Sequence, residues 1–295
     1  DQPRSRGLGD VYKRQQVPSG DVAKWAEIVL AEDCAIIDIG ADIRFRDVDV
    51  WEKWYGQKHP DAKMTHDAVY CIPEVMRDLA KGKKLIANPG CYPTASTLGL
   101  QPMLKAGHIV DNTIVIDAKS GYTGAGRRPA LNKLLTEAEN NFCAYALGGG
   151  HRHTPEIEQN IAYITGKDLM KPETWQYINF QPHLLPQVRG IEVTIYATCD
   201  RDFTNEEVYE LYKDFYKNEP FVKVFPASLP VQTKWVYGTN FCEMTPTFDA
   251  RTHRLIVSSV IDNIGKGAAG QAIQNMNLIM GLPETTGLMM PPMYP

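Results

Sequence analysis

The chain has 295 residues, 43% of them hydrophobic and 22% charged, the composition of a globular protein with a substantial core. A net charge of −4 offers no basic excess for nucleic acid or an anionic membrane surface, and no apolar run approaches the roughly 18 residues of a spanning helix. Six cysteines, at 34, 71, 91, 143, 199 and 242, form no CxxC pair, so free thiols and a cytoplasmic location are expected.

Residues 1–15 (DQPRSRGLGDVYKRQ) carry four basic residues without strand or helix period, and read as a non-native leader on a chain cut short at its amino end. Helical spacing begins at 22–32 (VAKWAEIVLAE). An apolar run at 34–42 (CAIIDIGAD) suits a strand of a parallel sheet buried on both faces. Two more short runs, 69–75 and 84–90, bracket a helix predicted to stop at Gly82. This alternation predicts a doubly wound α/β layer.

Beyond residue 90 the pattern changes. TIVIDAKSG (113–121) reads as a strand entering a glycine-rich turn, and 151–166 as a loop, then a helix capped by Thr154 with Pro155 in its first turn. From 190 to 262 come long alternating strands, as expected of an antiparallel sheet with one wet face, with a turn at Asp249–Thr252. A helix at 204–219 interrupts them, opened by a capping box from Thr204 to Glu207. A small-residue helix is expected over 265–280.

Four segments carry candidate chemistry. In NPGCYPTAS (88–96) the Pro-Gly turn precedes a helix predicted from about Pro93 to Lys105, placing Cys91 at its amino end. Unpaired N–H groups and the helix dipole there favour a thiolate and a developing oxyanion, although a buried structural cysteine has the same spelling. In GGGHRHTPEI (148–157) two histidines precede a helix. They are a base for a cysteine nucleophile, ordinary loop residues or metal ligands, and nothing nearby completes a zinc spacing, so no metal is expected. SGYTGAGRRP (120–129) joins glycines that let backbone approach a ligand to Arg127 and Arg128, which can pair with phosphate or carboxylate, or it is a surface turn before a helix; IRFRD (43–47) follows a strand end where open α/β sheets bind ligands. Arg44 or Arg46 there is an anion clamp or a solvated charge.

Together DIGADIRFRD, NPGCYPT, SGYTGAGR, GGGHRHTPEI and DNIGKGAAGQAIQNMN resemble the N-acetyl-gamma-glutamyl-phosphate reductases, relatives of aspartate-semialdehyde dehydrogenase, in the family's own order. The resemblance implies an α/β fold: a partial Rossmann-type NADP-binding domain over 16–88, then an α+β catalytic and dimerisation domain over 89–264 with a mixed, largely antiparallel sheet. A C-terminal helix region, 265–295, would pack back on the Rossmann domain. It implies NADPH-dependent reduction of N-acetyl-glutamyl 5-phosphate to the semialdehyde through a thioester on Cys91, with His151, as imidazolium, the general acid/base. Arg44, Tyr145, His153, Glu156 and Arg127 would line the substrate pocket, and Ser120, Gly121 and Asn263 would contact the cofactor. A homodimer or tetramer is implied. The family's GxxGxxG phosphate loop is not in this sequence, so the chain is expected to hold NADPH poorly. Aspartyl phosphate or a carrier-linked acyl phosphate as substrate, a nicotinamide-free Cys/His hydrolase, and an inactive remnant are the competing readings.

Overall fold

The computed structural model describes residues 22–126, 131 and 134–293. The 1–15 leader and Arg127 therefore lie outside the described residues. In chain order the elements are α1 (Val22–Ala31), β1 (Ile36–Asp38), α2 (Val48–Tyr55), α3 (Ala62–Asp67), β2 (Val69–Tyr70), α4 (Pro73–Ala80), β3 (Leu85–Ala87), α5 (Cys91–Lys105), β4 (Val115–Gly121), α6 (Leu135–Ala138), β5 (Cys143–Ala144), α7 (Thr154–Ile164), β6 (Asn179–Leu185), β7 (Ile191–Thr198), α8 (Asn205–Tyr216), β8 (Val222–Val224), β9 (Cys242–Asp249), β10 (Arg254–Ile261) and α9 (Gly270–Ile279). None of the described helices is long and apolar enough to cross a membrane.

The first three strands form a parallel sheet in the order β1–β3–β2. The apolar runs seen in the sequence are longer than the strands they make. β1 ends at Asp38, whose carboxylate accepts the Gly40 N–H at 2.7 Å and turns the chain. The 69–75 run splits, because Pro73 has no N–H to give a ladder and instead opens α4. Short α2 and α3, capped by the side chains of Asp47 and Asp61, were not expected from spacing.

The second sheet has seven strands in the order β5–β6–β4–β7–β10–β9–β8. Its centre is antiparallel, with β6 running parallel to β4 and β8 parallel to β9. The predicted alternation is present: Ile191, Val193, Ile195 and Ala197 are buried, and Glu192, Thr194, Tyr196 and Thr198 only half-buried. β6 was not anticipated from the sequence, and Pro182 lies in its middle. There Pro182 contributes its carbonyl, which accepts Tyr145 N–H at 3.1 Å.

Helix α5 lies on the sheet and is buried on all sides from Tyr92 to Leu104. A Cβ added to Gly99 would fall 2.6 Å from Ile195 Cδ1, so glycine is what lets the helix approach β7. Pro102 lacks the N–H that Leu98 O would accept. Tyr216 OH donates to Leu98 O instead (2.6 Å), so α8 supplies the missing donor, and Tyr212 OH adds a bond to Gly99 O (2.7 Å).

Two helix starts matter for the site. The capping box of α8 forms as predicted between Thr204 and Glu207. At α7 the predicted cap is displaced: His153 is the flanking residue, without a side-chain cap, and Thr154 is the first helical residue. Thr154 N–H already bonds His151 O at 2.9 Å, so the turn begins within the HRH segment. The 265–280 helix also differs, opening with a π-helical turn, Gly265–Ala269, before α9.

Candidate active site

Cys91 follows β3 at the carboxyl edge of the parallel sheet and is the first residue of α5, with Gly90 as the flanking cap residue. Two glycines press against it. A Cβ at Gly90 would sit 2.5 Å from His153 Nε2 and 2.9 Å from Arg44 Nη1; one at Gly267, in the π turn, would sit 2.8 Å from Cys91 Cβ. Gly90→Ala is therefore expected to lose about 1–3 kcal/mol in urea unfolding, through overpacking, and to lower turnover by displacing the histidine. Unchanged stability and rate would refute this crowding.

The helix amino end does not make the thiol acidic in the free protein. Burial pushes the Cys91 thiol up to about 11, more than the Tyr92 N–H and the Arg44 charge pull it down. The expectation of a ready thiolate is corrected on this point: desolvation outweighs the dipole.

The HRH turn meets Cys91 through Tyr92. His151 Nδ1 accepts the His153 backbone N–H at 3.1 Å. A backbone N–H can only donate, so the neutral ring carries its proton on Nε2. Tyr145 OH lies 3.4 Å from that nitrogen and 3.4 Å from Tyr92 OH, and Tyr92 OH donates to His183 O at 3.3 Å. Tyr92, Phe180 and His153 rings also pack around His151 at centroid distances of 5.7, 5.4 and 4.8 Å. Burial in this ring cluster lowers His151 to about 4 and holds His153 well below the usual histidine range. His151 is thus neutral at neutral pH, not the imidazolium expected, because the enclosed rings offer a cation no counter-charge.

Arg44 and Glu156 are buried together, 6% and 1% exposed, as an ion pair of 3.0 Å. Arg44 also donates to Asn88 O (2.9 Å) and Ile39 O (2.8 Å), and Glu156 Oε1 accepts from Tyr70 OH (2.9 Å) and Gly90 N–H (2.8 Å). Of the residues predicted from sequence, Arg44, Cys91, Tyr145, His151, His153 and Glu156 come together here. Ser120, Gly121 and Asn263 form a second group. A Cβ at Gly124 would lie 3.0 Å from Ser120 Oγ and 3.6 Å from Asn263 Nδ2, so bare backbone and two polar groups converge there. Gly121 itself packs against the 187–189 backbone. Asn263 and Gly267 lie in one turn, which links this group to Cys91.

Sequence reasoning missed Tyr70, Tyr92, Asn160 and Phe180. Asn160 had a signal, standing one helical turn after Glu156 on the same face. Tyr70 and Phe180 had none, since they arrive from distant strands.

Residues 91–263, from Cys91 to Asn263, match the semialdehyde dehydrogenase, dimerisation domain family. N-acetyl-gamma-glutamyl-phosphate reductases of Desulforudis audaxviator and Symbiobacterium thermophilum are 50% and 46% identical to the chain, over 95% of it and 78% of each relative. The chain belongs to the N-acetyl-gamma-glutamyl-phosphate reductase family. Its fold is that of the semialdehyde dehydrogenases: aspartate semialdehyde dehydrogenase II of Vibrio cholerae superposes with a TM-score of 0.66 at 18% identity, covering 90% of this chain and 78% of that one. An α/β layer beside a mixed sheet, as expected, is thus the fold of this reductase family.

Proposed function

We propose that the protein reduces N-acetyl-glutamyl 5-phosphate to N-acetyl-glutamate 5-semialdehyde and phosphate, with NADPH as hydride donor and Cys91 as nucleophile. The observation that carries this reading is Cys91 at the first position of α5, beside a His–Tyr–Tyr chain that presents a proton. Cys91 Sγ bonds the acyl carbon as the C–O bond to phosphate breaks; phosphate leaves with the electron pair and, overall, with the thiol proton. Amide N–H groups at the start of α5 suit the oxygen that develops charge.

Bound NADPH would supply hydride to the thioester carbon. Ser120 and Asn263 would hold its nicotinamide end beside the bare Gly124 backbone, and Gly121 would shape the turn. His151, carrying its ring proton on Nε2, donates a hydrogen bond to the adduct oxygen and keeps that proton. As the C–S bond breaks, the electron pair on that oxygen closes the aldehyde carbonyl and the thiolate leaves. Tyr145 and His153 line the acyl pocket, and Arg127 would meet the phosphate or carboxylate. We place the dinucleotide-binding part in 16–88 and the catalytic part in 89–264, with 265–295 packed back on the former. The half-buried outer face of the seven-stranded sheet suits pairing with a second copy.

The test is nicotinamide oxidation with N-acetyl-glutamyl phosphate and with aspartyl phosphate, side by side. Preference for the glutamyl substrate with stoichiometric phosphate release is expected. Faster turnover of aspartyl phosphate, or product without NADPH, would defeat the reading.

A further inference from the structure

Glu156 and Arg44 have an appearance of substrate ligands in sequence, yet neither presents a free face. Both lie in the buried network described above, and Glu156 stands three residues after His153 on the first turn of α7. We infer that Glu156 is a positioning residue that, with Arg44, sets Cys91 against the HRH turn; this deepens the proposed reductase reading and rests on it.

The geometry is specific to the nucleophile's loop. Pro89 separates two peptide groups just ahead of Cys91. Arg44 Nε holds the first through Asn88 O at 2.9 Å, and Glu156 Oε1 holds the second through Gly90 N–H at 2.8 Å. The Arg44–Glu156 ion pair of 3.0 Å joins the two grips. Arg44 Nη2 anchors this assembly to Ile39 O, at the end of β1, at 2.8 Å. One turn along α7, Asn160 donates to Tyr70 OH and to Thr97 Oγ1 of α5, each at 2.9 Å, and Tyr70 OH donates to Glu156. Helix α7 therefore grips both the Cys91 loop and the helix that Cys91 begins. Because the HRH turn leads directly into α7, the nucleophile and the proton donor share one rigid reference.

The pair also balances charge beside the thiol. After desolvation, Arg44 lowers the Cys91 thiol and Glu156 raises it. Removing only the Glu156 charge should make the thiol easier to ionise while loosening its placement. Reactivity and turnover should then move in opposite directions, which loss of a substrate contact would not produce, while the buried Cys71, Cys199 and Cys242 stay protected, which unfolding would not allow.

The experiment compares wild type, Glu156→Gln and Tyr70→Phe in the full chain. Iodoacetamide labelling of Cys91, resolved from the other cysteines by peptide mass spectrometry, is followed against pH without substrate. Glu156→Gln is expected to shift the labelling midpoint down by about one unit, a roughly tenfold faster rate at pH 8, while kcat falls on the order of 100-fold and KM changes little. Tyr70→Phe keeps both charges, so its labelling profile should stay and kcat fall by roughly three- to tenfold. If Glu156→Gln does not fold, Tyr70→Phe decides by its kcat. A raised KM with unchanged kcat in either variant overturns positioning in favour of substrate contact, and wild-type kcat in both overturns it outright. Labelling needs no substrate, so a wild type inactive on acyl phosphates would defeat the reductase reading while the labelling shift still judges this one.

Discussion

Cys91→Ser is expected to lose reductase turnover by on the order of 10,000-fold with its fold intact. The size of the effect follows from the absence of a base in the right place. A serine needs a histidine nitrogen free to take its proton, but His151 Nδ1 is occupied by the His153 N–H and Nε2 carries the ring proton. The free enzyme tolerates a thiol raised to about 11 because sulfur is still a strong nucleophile once ionised. A hydroxyl in the same place has no such reserve. Steady-state rates with NADPH and acyl phosphate, beside circular dichroism, make the measurement; turnover within tenfold of wild type would end the covalent mechanism. The same tautomer argues against a nicotinamide-free Cys/His hydrolase, whose histidine must accept the nucleophile's proton.

Glu74→Gln should be the most damaging conservative change to stability. Lys266 and Glu74 are fully buried and paired at 2.6 Å, with Gln274 Oε1 2.7 Å from the same ammonium. The pair ties α4 of the parallel layer to the π turn whose Gly267 touches Cys91. Gln keeps the shape and leaves Lys266 charged without compensation, a loss of about 3–5 kcal/mol. Against an ordinary total of roughly 5–15 kcal/mol this brings the protein near its limit. Urea unfolding measures it. Replacing both partners, with Glu74→Leu and Lys266→Met, should recover most of the loss, since the buried charge goes with its partner. A Glu74→Gln loss under about 1 kcal/mol would mean the pair is far less buried than its contacts indicate.

Much of the candidate site was readable because its parts are local. Cys91 after Pro-Gly, the HRH turn ahead of a helix, and the capping box at Thr204 are short-range patterns whose meaning survives folding. The errors are also physical. The thiolate expectation weighed the helix dipole and omitted desolvation, which needs the whole fold to evaluate. Arg44 looked like an anion clamp because its partner Glu156 lies 112 residues away. β6 was missed; Pro182 lies in its middle, and only its neighbours β4 and β5 make that strand worth forming.

Local patterns sufficed for the longer elements in their order, though not for α2, α3 or β6, for the wet and dry faces of the antiparallel strands, and for Cys91 at the head of a helix. These depend on spacing, turn chemistry and apolar period, which act over a few residues. Tertiary structure alone decided the protonation of Cys91 and His151, the burial of Arg44 with Glu156, and the grip of α7 on the nucleophile's loop. Those depend on which distant groups exclude water from one another, and no local pattern of residues encodes that.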